Sequence, residues 1–346
     1  MPAALGLSSW RWSNNIKSML LLLAFPLLLL GLLGGVFFAA GWLNLDAHGA
    51  VDPRFLMAMG FATTARTPLD LATQAVWDYW PIVLGIAAVW TLLGYLFNDA
   101  MIRAATGAKP IERSEAPKLY NLFENLCISR GLTMPRLYLI DTGVMNAYAS
   151  GIDEASYSVT VTRGLVERLD DAEIEAVLAH ELTHIINRDV RLLVVAIVFT
   201  GMLSFVAQMM WRSMRFASHG RQSSRGGGKG ALVLMLIAAV MMTVGYGLAV
   251  MLRLALSRRR EYLADAGAVA LTKNPEALIA ALQKISGNAD LPDVPAEVRQ
   301  MFIENPPSFF ALFDTHPPIQ ERIRVLRAIG GVPPEGDSVI PRAGRA

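Results

Sequence analysis

Charge is scarce in this chain. Only 17% of its 346 residues are charged and 53% are hydrophobic, too apolar a balance for an ordinary soluble protein, so a membrane protein is the first expectation. Cysteine is nearly absent: Cys127 stands alone, which excludes an internal disulfide and a cysteine-ligated metal site and fits a folded part facing a reducing compartment. Any metal must therefore be held by histidine and carboxylate. Histidine is also short, with five in all (His48, His180, His184, His219 and His316). The net charge of +2 is small and no basic stripe with interleaved aromatics occurs, so nucleic acid is set aside as a partner. No internal repeat is present.

In place of charge the chain carries long apolar runs. Nothing between Lys17 and Asp46 is charged, and the run exceeds the roughly 20 residues that cross a bilayer's hydrocarbon. A first membrane helix is predicted over 19–43, kinked at Pro26. The apolar core of a cleaved signal peptide would be only about 7 to 15 residues, so a retained anchor is expected. A second span is predicted over 80–98, inside the uncharged interval between Asp78 and Asp99, with Trp77, Tyr79 and Trp80 suited to the membrane interface. Two more uncharged runs, 192–211 and 230–252, read as a hairpin around the loop 212–229, which is basic and rich in Gly and Ser. Basic residues flank the first span at Arg11 and Lys17 and follow the second at Arg103, Lys109, Arg113 and Lys118, which places the N-terminus and the region after Asp99 in the cytosol. The basic loop 212–229 argues against that arrangement. The equally basic connections at both ends of the hairpin argue for two full spans.

The fold class expected is thus an α-helical membrane protein with about four transmembrane helices and an α+β domain containing a small sheet. The parts are 1–98 (N-terminal membrane region), 99–190 (first half of the cytosolic domain), 191–256 (hairpin), 257–330 (second half) and a disordered tail, 331–346. In the first half, Ser114 can cap a helix through KLYNLFENLCISR, with Pro117 in its first turn and Gly131 ending it. RLYLI after Pro135, NAYASG from Asn146 and YSVTVT from Tyr157 read as strands. Asp170 and Glu173 form a capping-box pattern ahead of a helix whose buried stripe is Ile174, Val177 and Leu178. In the second half, Asn274 and Pro275 open another helix, which ends near Gly287.

Within the first of these helices, AVLAHELTHIINRD carries His180, Glu181 and His184 in HExxH spacing. Side chains four residues apart on a helix differ by about 40° in direction and one turn in height, so both imidazoles can reach one ion. Glu181 lies beside them and can take a proton from a water in the open coordination position. By chance alone HExxH occurs in on the order of one chain in a hundred of this length, so a third ligand is needed to support it. The elongated HExxHxxGxxH form requires Gly at 187 and His at 190, where this chain has Asn187 and Val190. A glutamate from a later helix is the other route. Glu261 fits it, with Asp265 four residues on and directed to the same side, able to accept a ring N–H from a ligand imidazole. The bland alternative for Glu261 is a charge partner for Arg258 or Arg259.

HELTHIINRD, SRRREYLADAGAVAL and THPPIQERI, in that order and with a hairpin between the first two, resemble the HtpX family of integral-membrane zinc metalloproteases, relatives of the CAAX prenyl proteases. The resemblance implies that the α+β domain is a zincin-like metalloprotease domain, with one Zn²⁺ per chain on His180, His184 and Glu261 and with Glu181 as general base. It further implies Asn146, Ala147, Tyr148 and Ala149 as an edge strand for substrate backbone. His316 and Arg322 match the family's late HP and RI pattern and would donate hydrogen bonds to the oxyanion. His316 can equally be a helix-start residue and Arg322 a partner of an acidic neighbour. The long connection from Asn44 to Trp77 departs from the smaller members of that family.

The activity expected is a membrane-embedded zinc-dependent endopeptidase of the bacterial plasma (inner) membrane, with its catalytic domain on the cytosolic side. Its partners are the lipid bilayer and protein or peptide substrates, chiefly membrane proteins under quality control. A CAAX-prenyl-protease-like processing enzyme is one alternative, although four spans are few to enclose a chamber. A metal-binding transporter is another, opposed by spans that contain no charged residue. A non-catalytic scaffold is opposed by the intact Glu181.

Overall fold

A computed structural model describes residues 7–58, 60, 61, 65–199, 201, 212, 259–289, 291, 294, 296–299, 301–303 and 317–331. The chain divides into two compact units. One holds Met1–Asn15, Phe97–Val194 and Ala255–Ala346, and the other Ile16–Leu96 and Val195–Leu254.

The second unit is built on two long helices, α1 (Leu7–Leu43) and α3 (Pro68–Thr106), which carry Pro26 and Pro81 inside them. Over Ser18–Leu43 and Pro68–Thr106 they are long and apolar enough to cross a membrane. Leu23, Leu27, Ile82, Val89 and Leu96 stand exposed along them, as lipid-facing side chains would. The connection between α1 and α3 is folded. Leu45 bridges Val51, α2 occupies Pro53–Ala58, and Val51, Leu56, Phe61, Leu71 and Ala75 form a small buried cluster. Two carboxylates hold its turns. Asp46 accepts from the backbone N–H of His48 and Ala50 at 2.8 and 3.0 Å, and Asp70 accepts from Thr67 N–H at 2.9 Å while Thr67 Oγ1 accepts from Asp70 N–H, a capping box at the start of α3. Residues 189–199 are helical and begin the expected hairpin. The rest of that hairpin, 202–211 and 230–252, and the loop 213–229 lie outside the described residues, as does the tail from 332.

The first unit contains a sheet of four strands in the order β1-β2-β4-β3: β1 Lys109–Pro110, β2 Arg136–Ile140, β3 Ala147–Ser150 and β4 Ser158–Thr162. Only the two-residue β1 is absent from the sequence pattern. β4 runs parallel to β2 and antiparallel to β3, so β3 is an edge of the sheet among the described residues. Helix α4 (Pro117–Ser129) is preceded by Ala116 at its N-cap position, without a side-chain cap, where the sequence pointed to Ser114; a turn closed on Glu112 O by the N–H groups of Glu115 and Ala116 carries the chain past Ser114 before the helix begins at Pro117. After α5 (Arg163–Arg168) comes α6 (Asp171–Asn187), whose Asp170–Glu173 capping box is formed in both directions at 2.9 Å. Ile174, Val177 and Leu178 on α6 are buried as expected. The second half supplies α7 (Arg259–Thr272), α8 (Pro275–Ile285, capped by Asn274), α9 (Ala296–Arg299) and α10 (Ile319–Gly330). Helix α6 packs on α4, α7, α8 and β3, which makes it the central element of the unit.

Candidate metal centre

The helical repeat of α6 sets His180 and His184 one turn apart with their rings nearly perpendicular, 4.7 Å between centroids, and brings their Nε2 atoms to 3.1 Å. Each Nδ1 is held from behind. His180 Nδ1 lies 3.0 Å from Asp265 Oδ1, and His184 Nδ1 lies 3.1 Å from Asp189 Oδ2. A carboxylate on Nδ1 fixes the tautomer that carries hydrogen there and leaves both Nε2 lone pairs free to face one point. Asp189 follows directly on Arg188, where α6 ends in the left-handed conformation (φ 60°), and from there its carboxylate reaches back to His184.

Glu261 enters from the first turn of α7, fully buried, with Oε2 at 3.6 Å from His180 Nε2 and Oε1 at 3.8 Å from His184 Nε2. The approach of α7 to α6 depends on Gly267. A Cβ at that position would stand 2.3 Å from Thr183 Cγ2, closer than atoms can pack. Ligand atoms of His180, His184 and Glu261 all fall within 4.8 Å of one another. A tetrahedral zinc with Zn–N bonds of about 2.0–2.1 Å needs nitrogens roughly 3.3 Å apart, close to the spacing found. Two imidazoles and a carboxylate, with ring tautomers fixed from behind, therefore fit a zinc ion. Among the described residues Glu261 pairs with its own neighbour Arg260 at 3.1 Å and with Arg322 at 3.9 Å, while Arg258 lies outside the described residues.

Electrostatics follow from burial in a negative surround. Burial works against a charged His184, but Glu261 and the Asp189 hydrogen bond outweigh it and push it up to about 10. The field that does this also draws a divalent cation. Burial raises Glu181 above the usual carboxylate range; His180 and His184 oppose that shift and Glu261 reinforces it. Burial also acts to raise Asp265, yet the Arg322 guanidinium and the His180 hydrogen bond hold it below its ordinary value.

A pocket of about 310 Å³ opens over these residues, lined by His180, Glu181, His184 and Glu261 together with Ala149, Asp189 and Phe302. Of the four residues proposed for the substrate edge, Ala149 faces it. Asn146 is buried and tied to the chain itself, through Nδ2 to Ala289 O at 2.8 Å and through Oδ1 to Ala147 N–H at 2.9 Å. Ala147 O accepts from Ile303 N–H at 2.9 Å. The Tyr148 ring is buried, its hydroxyl 3.0 Å from Thr106 Oγ1. Arg322 is buried behind the histidines, forked on Asp265 at 2.6 and 3.0 Å, and does not line the pocket. His316 lies outside the described residues. Asp189 is the member of the site that the sequence reading passed over as an ordinary polar residue; its only signal was a carboxylate five residues after the second histidine.

Residues 113–330 match the model of peptidase family M48. A protein described as protease HtpX homolog from Bacteroides fragilis is 45% identical over 267 residues, 75% of this chain and 83% of that protein. Another of the same description from Ligilactobacillus salivarius is 37% identical over 70% of this chain and 82% of its own length. The crystal structure of S. mikatae Ste24p is similar at a TM-score of 0.45 and 21% identity, over 71% of this chain and 58% of that one.

Proposed function

The chain belongs to peptidase family M48, a family of metalloproteases, and from that premise we propose the part that each of its residues plays. The observation that carries the assignment is the convergence of His180 Nε2, His184 Nε2 and Glu261 on one point, with each imidazole held at Nδ1 by a carboxylate. Those three residues hold one Zn²⁺. When bound, zinc supplies Lewis acidity at the scissile carbonyl and a lowered pKa for water.

Glu181, beside the ligands and raised by burial, takes the proton of the attacking water and returns it to the leaving amine. Asp265 and Asp189 orient the two imidazoles, and Arg322 neutralises Asp265 and holds it in place. The outward backbone of Ala149 at the sheet edge pairs with an extended substrate, so that the chain is gripped without its side chains being read. His316 is the candidate donor to the oxyanion.

The enzyme is a membrane protease, and we place it in a bacterial plasma membrane with four spans. Helices α1 and α3 provide two of them and the residues from 192 to 252 the others. The catalytic unit stands on the cytosolic side, where loops and termini of damaged membrane proteins are within reach as substrates.

Glu181→Gln tests the core of this reading. It should retain zinc by atomic absorption and lose at least about 10²-fold in turnover of a membrane-protein substrate. His180→Ala and Glu261→Ala should instead lose the metal. A Glu181→Gln enzyme that cut at the normal rate would sink the assignment of the base.

A further inference from the structure

We propose that Ile303 closes one end of the substrate groove: it covers the edge strand at Ala147 and, among the described residues of β3, leaves Ala149 as the backbone anchor for an extended substrate. The inference rests on the protease reading of the same site and extends it to substrate length.

Strand alternation fixes which groups face outward. Thr162 N–H donates to Asn146 O at 3.0 Å, so 146 and 162 form a hydrogen-bonded pair. In the register of β3 with β4, Tyr148 with Thr160 and Ser150 with Ser158 are then the next such pairs. The backbone groups of Ala147 and Ala149 consequently point away from β4, toward the place where an added strand would lie.

At the Ala147 end that place is taken by the chain itself. Met145 N–H donates to Asn288 O at 2.8 Å, Asn146 Nδ2 to Ala289 O at 2.8 Å, and Ile303 N–H to Ala147 O at 2.9 Å. Ile303 is also secured from its far side, where its carbonyl accepts from Arg322 Nη1 at 3.1 Å. Phe302 packs its ring on Tyr148, 5.2 Å between centroids. Both Phe302 and Ile303 are almost fully buried.

A segment held on two sides is a wall. Ala149 lies two residues further along, about 6.6 Å, and lines the pocket with His180, Glu181 and His184. A substrate strand that pairs with Ala149 therefore meets Ile303 at its next pairing position and must turn out of the groove. The class of substrate that fits is an extended peptide that is close to its end, or sharply bent, on one side of the scissile bond.

The test uses the full chain, zinc-loaded in detergent, and two ladders of peptides sharing one scissile bond. One ladder grows on the N-terminal side and the other on the C-terminal side. One should raise kcat/KM by roughly three- to tenfold for each added pairing residue, and the other should change it by less than about twofold beyond its first two residues. The affinities of the same peptides for Glu181→Gln, read by fluorescence anisotropy, should show the same asymmetry. Ile303→Pro, which deletes the N–H that holds Ala147 O, should make the insensitive ladder length-dependent. The wild-type ladders decide the question even if that variant does not fold. Equal length dependence on both sides, or on neither, overturns the boundary at Ile303 and leaves proteolysis standing. Asymmetric binding without cleavage of any peptide would overturn the protease reading and leave the boundary in place.

Discussion

His184 depends on a neighbour that the HExxH motif does not contain. Its Nδ1 is held by Asp189, which is itself buried and follows directly on Arg188 in its left-handed backbone conformation. Such a conformation costs a residue other than glycine about 1–3 kcal/mol. Asp189→Asn should weaken zinc binding about 10- to 100-fold, measured by competition with a chelator, and should also lower the melting temperature of the zinc-free protein at neutral pH, because the Asp189 carboxylate helps hold His184 charged there. Asp265→Asn should act through a different partner. It leaves the Arg322 guanidinium, 0% exposed, without its forked charge partner, and removing one member of a buried pair costs about 3–5 kcal/mol, so the zinc-free protein should melt at a distinctly lower temperature. An Asp189→Asn protein that held zinc as tightly as the wild type would show that Asp189 does not orient the ligand. His180, Glu181 and His184 were legible in the sequence because helical spacing alone puts them together. Asp265 was legible for the same reason relative to Glu261. Asp189 and the position of Arg322 were not, since one follows a left-handed turn at an arginine and the other depends on a contact 57 residues away in the chain.

The crossing of α6 and α7 is what turns two histidines into a three-ligand site, and it is set by a side chain that is missing. Gly267 faces Thr183, whose Oγ1 donates to Ala179 O at 2.8 Å within its own helix and whose Cγ2 would lie 2.3 Å from an added Cβ. Gly267→Ala should therefore push α7 away, cost about 1–3 kcal/mol, and withdraw Glu261 from the imidazoles, seen as a lower melting temperature together with weaker zinc binding. Thr183→Ala removes the two atoms in closest conflict, so the double variant should recover most of both losses; additive losses would mean that the two positions do not set the crossing. Helix α6 could be read in advance, with its capping box and buried stripe, because both signals are local. The role of Gly267 could not, because a glycine inside a helical run reads only as a weak point. The segment that closes the sheet edge escaped for a related reason: residues 301–303 have no periodicity, and their position comes from Asn146, Ala147 and Arg322. The connection between α1 and α3 likewise read as a loop, although its six buried residues from Val51 to Ala75 give it a core of its own.

At the scale of the whole molecule, span length is a matter of composition, and the two charge-free intervals near the N-terminus marked α1 and α3 without any structural information. Their ends were harder to place. Helix α3 runs from Pro68 to Thr106, well beyond the 80–98 expected from the apolar run, because polar residues such as Asp70 and Arg103 suit the first and last turns of a helix as well as they suit a loop. Orientation rests on basic residues alone, and Cys127 offers a direct way to test it. Burial pushes its thiol up to about 12, so at neutral pH the thiolate fraction is on the order of one part in 10⁵. The native protein should thus stay dark to a membrane-impermeant maleimide, and single cysteines can be introduced without removing Cys127. His48, exposed in the connection between α1 and α3, and Glu154, exposed between β3 and β4, should stand on opposite sides of the membrane. In spheroplasts His48→Cys should react with the reagent, and Glu154→Cys should react only after lysis. Labelling of Glu154→Cys in sealed spheroplasts would put the catalytic unit outside the cytosol and reverse the proposed topology, since α1 and α3 would then enter the membrane from the other face.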